Sequence, residues 1–331
     1  MGDYRGRVPG ACVLVLHKGV PVIRGTFGMA DLEQETVTTT ATNYRLASVT
    51  KQFTAAAVLM LMEEGAVSLD APLREWLPSL PERAAGTTLR QLLTHTSGII
   101  DYEDLVPSGR TTQLQDADVL RLLESEPRTY FTPGSAYRYS NGGYALLALA
   151  VERASGTSFA TFLRERIFVP LGMSGTVAHR EGVSRVAHRA YGYSWIDGGW
   201  RRTDQSLTSA VLGDGGVYSS IDDLAKWDSA LDEGRLLRPQ SLQLAFAPAT
   251  ATDDPATRYG FGWRITDDTV WHSGESVGFR NVIVRWPKRR LSVIVLTNRN
   301  EPEPHRMALA IADQFLKDDR AAGARIVSPR F

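Results

Sequence analysis

The sequence predicts an α+β fold: one antiparallel sheet flanked by helices, with a mostly helical lobe inserted between its strands. Three observations carry that reading. Apolar runs rich in β-branched residues lie near both ends of the chain, helical patterns broken by turns fill the middle, and Phe53–Met62 is apolar on every side. A helix with no polar face is buried all round. Strands distant in sequence, with helices between them, pack most simply as one sheet with an insertion. The expected division is a discontinuous sheet lobe, 1–66 with 206–331, and a mostly helical lobe, 67–205, with an active site at their junction.

The elements follow in order. Ala11–His17 and Val20–Thr26, separated by Lys18-Gly19, read as a hairpin. After the polar stretch Asp31–Asn43, Ser48–Glu64 is strongly helical, with Ser48 on its first turn. From Leu69 to about Trp200 the signals are helical, notably over Asp116–Ser125, Gly143–Ser155 and Ser158–Phe168. Seven prolines between Pro72 and Pro170 punctuate this stretch, and long irregular loops of this kind suggest a cleft wall. Ser220–Glu233 is a further helix, capped by Ser219 or Ser220, with Asp222-Asp223 in its first turn. Tyr259–Ile265, Thr269–His272, Gly278–Trp286 and Leu291–Asn298 read as an antiparallel meander, with a turn at Pro287-Lys288. A last helix, Glu303–Asp318, and a surface tail, Asp319–Phe331, complete the chain.

Composition narrows the function. The 331 residues are 43% hydrophobic and 22% charged, which is ordinary for a globular protein. Lys+Arg and Asp+Glu both number 37, so no basic field points to nucleic acid. No apolar run is long enough to span a membrane. Met1–Gly10 lacks the apolar core of a signal peptide, so the chain as written reads as cytoplasmic, or as the trimmed form of an exported protein. Cys12 is the single cysteine, which excludes an internal disulfide and a thiolate metal cluster. The six histidines lack ligand spacing, and there is neither an HExxH nor a phosphate-binding loop, so no metal and no cofactor are expected. Oligomeric state leaves no mark in the sequence.

Three short motifs carry chemistry. In Ser48-Val49-Thr50-Lys51, residues i and i+3 share a helix face, so a lysine sits beside a serine hydroxyl. The positive end of the helix favours a developing anion there, which is one way to activate a serine. By itself the string is common, about one per chain of this length from ordinary residue usage. Tyr139-Ser140-Asn141-Gly142-Gly143 forms a loop before a helix, where Asn141 and the glycines suit a turn with positive φ. Trp271-His272-Ser273-Gly274 lies on an expected strand. A fourth string, Gly274-Glu275-Ser276-Val277-Gly278, matches the nucleophile elbow of α/β-hydrolases. That elbow must run from strand into helix and be followed by an acid and a histidine. Here Phe279–Val284 reads as a strand, so Ser276 is set aside as nucleophile.

Taken together and in this order, the three motifs resemble the signatures of the penicillin-recognising serine hydrolases. Tyr-Ser-Asn resembles the class C β-lactamase and DD-peptidase branch. His-Ser-Gly is similar to the carboxypeptidase, D-aminopeptidase and family VIII esterase members. Val8–Ala11, Tyr44–Ala47, Leu92–Gly98, Pro170–Met173 and Gly215–Ser219 extend the likeness almost end to end. The resemblance implies a β-lactamase/transpeptidase-like fold and a hydrolase forming an acyl-enzyme on small esters, amides or peptides. It implies Ser48 as nucleophile, and Lys51 and Tyr139 sharing general-base and general-acid work. Asn141 would orient Lys51 and the substrate. His272 would stand in for a lysine and bond Tyr139 or the substrate. The backbone N–H groups of Ser48 and Glu275 would form the oxyanion hole. Ser273, Gly274 and Glu275 would line the substrate, with the Glu275 carboxylate repelling anionic substrates unless it turns outward or pairs with Arg280. His95, in Leu93–Gly98, is read as structural. The other readings are a class C-like β-lactamase or D-Ala-D-Ala carboxypeptidase, and a non-catalytic binder on the same scaffold.

Overall fold

Alternation along the first strand sets the layers of the molecule. The computed structural model describes residues 2–326, with side chains described through residue 317. In β1 (Ala11–His17), every residue up to Leu16 is buried. Successive side chains of a strand point to opposite faces. Cys12, Leu14 and Leu16 enter the larger core, shared with α1 (Lys51–Glu63). Val13 and Val15 enter a smaller core with Val282, Val293, Ala308 and Ala312, under the C-terminal helix Pro304–Ile326. A strand apolar on both sides is therefore a central strand between two helical layers.

Among the described residues the main sheet has eight strands, all neighbours antiparallel. β1 lies between β2 (Val20–Phe27) and Leu291–Thr297, with Ala11 opposite both Phe27 and Thr297. Phe279–Trp286, Thr269–Ser276, Arg264–Thr266, Arg258–Tyr259 and Thr250–Ala251 follow in turn. The two ends of the chain thus meet inside one sheet, as the apolar runs predicted. α1 is buried from Lys51 through Leu61, and Asn141–Ser155 packs across it.

Several boundaries differ from expectation, each for a local reason. The α-helix begins at Lys51, and Ser48 belongs to a 3-10 turn, Ala47–Thr50. The helix expected from Gly143 starts at Asn141, because the Ser140 hydroxyl accepts the Gly143 N–H and caps it; neither Gly142 nor Gly143 has positive φ. Tyr193–Ile196 and Gly199–Arg202 form a hairpin inside the stretch read as helical. Its Asp197-Gly198 turn, with both φ positive, is a signal the sequence carried. The expected strand Tyr259–Ile265 is two short strands, parted at Gly262 (φ 76°), which sits against the Lys51 carbonyl. The last helix continues past Asp318 to Ile326; the part of the expected tail from 327 on lies outside the described residues.

Candidate active site

The turn that carries Ser48 is built under strain. Ala47 has φ 49°, a left-handed conformation that costs a residue with a Cβ on the order of 1–3 kcal/mol. In a 3-10 turn residues i and i+3 eclipse one another, so Lys51 stands directly behind Ser48. Its Nζ lies 3.1 Å from Ser48 Oγ, 2.8 Å from Asn141 Oδ1 and 3.0 Å from the Asp214 carbonyl oxygen. The last two atoms can only accept, so Lys51 donates to both. The remaining tetrahedral position faces Ser48 Oγ. In the neutral amine that position is the lone pair, aimed to take the serine proton.

The second motif is positioned by capping. Asn141, the first helical residue, donates its backbone N–H to Asp101 Oδ2 at 3.0 Å. Its Nδ2 donates to Glu103 Oε1 at 3.2 Å, which turns Oδ1 towards Lys51. The Tyr139 ring centroid is 4.9 Å from Lys51 Nζ. Its hydroxyl is buried and has no hydrogen-bond partner among the described residues. Lys51 and Tyr139 are therefore brought together, though not through a Lys51–Tyr139 hydrogen bond.

The third motif differs from the reading its sequence invited. His272 donates Nδ1–H to the Ser273 carbonyl at 2.6 Å, and Nε2 accepts the Tyr259 hydroxyl at 2.9 Å. Both ring nitrogens are thus occupied, and the partner is Tyr259, not Tyr139 or an open cleft. Burial, with Arg264 and Lys51 nearby, holds His272 well below its usual pKa, so the ring is neutral. The strand's pleat decides the rest. Val270 faces the larger core, whereas Trp271 packs against the C-terminal helix side. Ser273 and Glu275 share the Trp271 parity, and the Glu275 side chain is 70% exposed and paired with Arg280. Their side chains are not presented to Ser48. Gly274 has the opposite parity: a Cβ there would lie 2.0 Å from the Leu46 carbonyl oxygen and 3.3 Å from the Ser48 nitrogen. Only glycine lets this strand meet the serine turn. Ser276 ends the strand and is followed by a turn into Phe279–Trp286, so no strand-to-helix elbow exists.

Around Lys51 the fold gathers acids that sequence reasoning missed. A cleft of about 160 Å³ is lined by Ser48, Asn141, Glu103 and Asp214, with Arg45, Ser206 and Glu275–Val277 at its sides. Asp214 is buried, and its Oδ2 accepts the Tyr102 hydroxyl at 3.2 Å. Burial pushes its carboxyl up to about 7 against the pull of Lys51. Burial and Asp101 also raise Glu103. Asp214 stood in the sequence beside the quoted Gly215–Ser219, but nothing local marked it as a neighbour of Lys51. Arg264 was missed as well. Its guanidinium lies 5.6 Å from the Tyr139 ring centroid and makes no ion pair among the described residues.

The family described as Beta-lactamase matches residues 2–316. The chain is 31% identical over 323 residues to penicillin-binding protein 4* of Bacillus subtilis (strain 168), covering 92% of this chain and 71% of that protein. It is 30% identical over 298 residues to a D-aminopeptidase of Gluconobacter oxydans (strain 621H), covering 88% of this chain. The chain spans only 56% of that relative's length. Among solved structures, D-amino acid amidase from Ochrobactrum anthropi SV3 superposes with a TM-score of 0.81 at 25% identity, covering 95% of this chain and 94% of that one. With that match over nearly its whole length, and with Ser48 and Lys51 joined on one turn, the chain belongs to the beta-lactamase family and is a serine hydrolase of that group.

Proposed function

We propose that this hydrolase cleaves small amides or esters that carry a free, cationic amine, through an acyl-enzyme on Ser48. The observation that carries the chemistry is the pair of hydrogen bonds from Lys51 Nζ to Asn141 Oδ1 and the Asp214 carbonyl, which leaves one tetrahedral direction, the one facing Ser48 Oγ at 3.1 Å, for the Ser48 proton. Ser48 Oγ attacks the carbonyl as Lys51 takes its proton, and the Ser48 and Glu275 backbone N–H groups receive the oxyanion. The unpartnered Tyr139 hydroxyl protonates the leaving amine or alcohol. Water then enters, and the same groups return the proton to Ser48.

The amine preference rests on Glu103 and Asp214, the acids of the cleft lining other than Glu275, whose carboxylate is paired with Arg280. His272, neutral and bonded on both nitrogens, has no donor to offer a substrate carboxylate. The solved relative that binds L-phenylalanine amide is itself named a D-amino acid amidase, which is consistent with this class. Arg264 favours a second reading, cleavage of a substrate bearing a carboxylate, such as a D-Ala-D-Ala peptide or a β-lactam.

A direct test compares D-alanine p-nitroanilide with its N-acetyl derivative, alongside nitrocefin and a D-Ala-D-Ala peptide. The free amine is expected to raise kcat/KM by about tenfold or more, a fraction of the ~4 kcal/mol available to a close charge pair near a surface. Glu103→Gln should shrink that preference. Ser48→Ala should abolish turnover and labelling by a fluorophosphonate. Equal rates for the acetylated substrate would remove the amine from the proposal, and labelling that persists in Ser48→Ala would remove Ser48.

A further inference from the structure

Among the buried imidazoles that the proton transfers proposed above leave without a part, His95 stacks most closely on Tyr139. His95 is 1% exposed and adopts a left-handed backbone, φ 58°. Backbone strain of that kind persists only where surrounding contacts impose it. Three of those contacts go to one segment. The His95 carbonyl accepts the Arg138 N–H at 3.0 Å. Its Nδ1 accepts the Ser140 N–H at 3.1 Å. Its ring centroid lies 4.3 Å from that of Tyr139, in a tilted stack. His95 therefore touches three consecutive residues, Arg138, Tyr139 and Ser140, that lead straight into Asn141. The residues after it extend the grip: Thr96 accepts the Gly134 N–H at 2.7 Å, and Gly98 accepts the Tyr130 N–H at 2.7 Å.

We propose that His95 is a positioning residue, which fixes Tyr139 and Asn141 against Lys51 by accepting the Ser140 N–H at Nδ1 and packing its ring face on the Tyr139 phenol. The inference rests on the reading of Tyr139 as a proton-transfer group. Three features make the arrangement work. Ser140 is already the cap of the helix that begins at Asn141, so holding its N–H sets both flanking side chains. Nδ1 has a donor, whereas Nε2 is buried without a hydrogen-bond partner among the described residues, and the ring is walled by Tyr144 and Tyr259, at 5.1 and 4.5 Å, which leaves the Ser140 N–H as its one polar tie. Burial, with Lys51 and Arg264 adding repulsion, keeps the ring well below its usual pKa, so Nδ1 remains an acceptor. A protonated ring would have no lone pair for Ser140.

The test is a double-mutant cycle on whichever substrate the enzyme turns over best. His95→Phe keeps an aromatic face and deletes the acceptor. It should lower kcat about 10- to 100-fold and leave KM within about threefold, because it loosens the proton-transfer group rather than the substrate. Tyr139→Phe should lower kcat about 10²- to 10⁴-fold. The double variant should be far less than the product of the two, since His95 has little to position once the phenol is gone. Losses that multiply, or a His95→Phe enzyme with wild-type turnover, would overturn the proposal. If His95→Phe does not fold by circular dichroism, His95→Gly replaces it in the same cycle with the same expectation; glycine takes the left-handed backbone freely and removes both the acceptor and the ring. A fully active Tyr139→Phe would instead bring down the proton-transfer reading itself, and this inference with it.

Discussion

Three hydrogen bonds at one nitrogen determine what Lys51 can do, and two at one imidazole determine what His272 cannot. Lys51 points its spare direction at Ser48 because Asn141 Oδ1 and the Asp214 carbonyl are pure acceptors. His272 donates to a carbonyl on one side and accepts from Tyr259 on the other, so it is a closed unit beneath the cleft. Tyr259→Phe should therefore act mainly on stability. It leaves Nε2 buried without its donor, which costs about 1–3 kcal/mol. Urea unfolding of wild type and variant at the same pH measures it. A difference below about 0.5 kcal/mol would show that Tyr259 does not satisfy this nitrogen in solution.

At the scale of elements, the site depends on how closely the Thr269–Ser276 strand approaches the Ala47–Thr50 turn. Gly274 permits that approach, with backbone against backbone where a Cβ would stand 2.0 Å from the Leu46 oxygen. Neither side can yield cheaply, because Leu46 is tied to the Val217 carbonyl and the strand lies within a ladder. Gly274→Ala should displace the serine turn and abolish fluorophosphonate labelling of Ser48, with a loss of stability of about 1–3 kcal/mol or more as for other overpacked sites. Gly199→Ala is the control, since a Cβ there meets nothing within 4 Å. Near-normal labelling of Gly274→Ala would mean that the strand can retreat without harm.

At the scale of the whole molecule, burial of acids near the centre couples stability to pH. Asp116 is pushed up to about 6 and Asp214 to about 7 by burial. Asp116 holds the turn that carries Asp214, accepting the Leu212 and Gly213 N–H groups at 2.9 and 3.0 Å. Between about pH 4 and pH 7 the folded protein then binds more protons at these two groups than the unfolded chain does, given an ordinary Asp pKa near 3.9. Their contribution to stability falls as pH rises through that window and is level above it. The buried histidines act with the opposite sign. His95 and His272 are held well below 6.5, so their contribution is lost as pH falls through the range where the unfolded chain takes up protons. Asp214→Asn should raise Tm relative to wild type more at pH 8 than at pH 5, because it removes a carboxylate that is costly to ionise. An equal Tm difference at both pH values would show that Asp214 titrates normally.

What the sequence by itself determined is what periodicity, capping and short spacing encode. The apolar runs near both chain ends were enough to expect one sheet that joins them, and the all-apolar Phe53–Met62 to bury α1. Ser48 and Lys51 are three residues apart, so their contact survived even though the turn proved to be 3-10 rather than α. The order of the three motifs, read as a resemblance, led to the right family. Only the tertiary structure decided which groups complete the cleft. Asp214 reaches Lys51 across 163 residues. Tyr259 captures His272 from the next strand but one, and the pleat turns Ser273 and Glu275 away from Ser48. No local pattern encodes such meetings, because they depend on how separate elements pack and on which face of a strand is turned inward. Burial then sets the protonation of the acids and histidines gathered there.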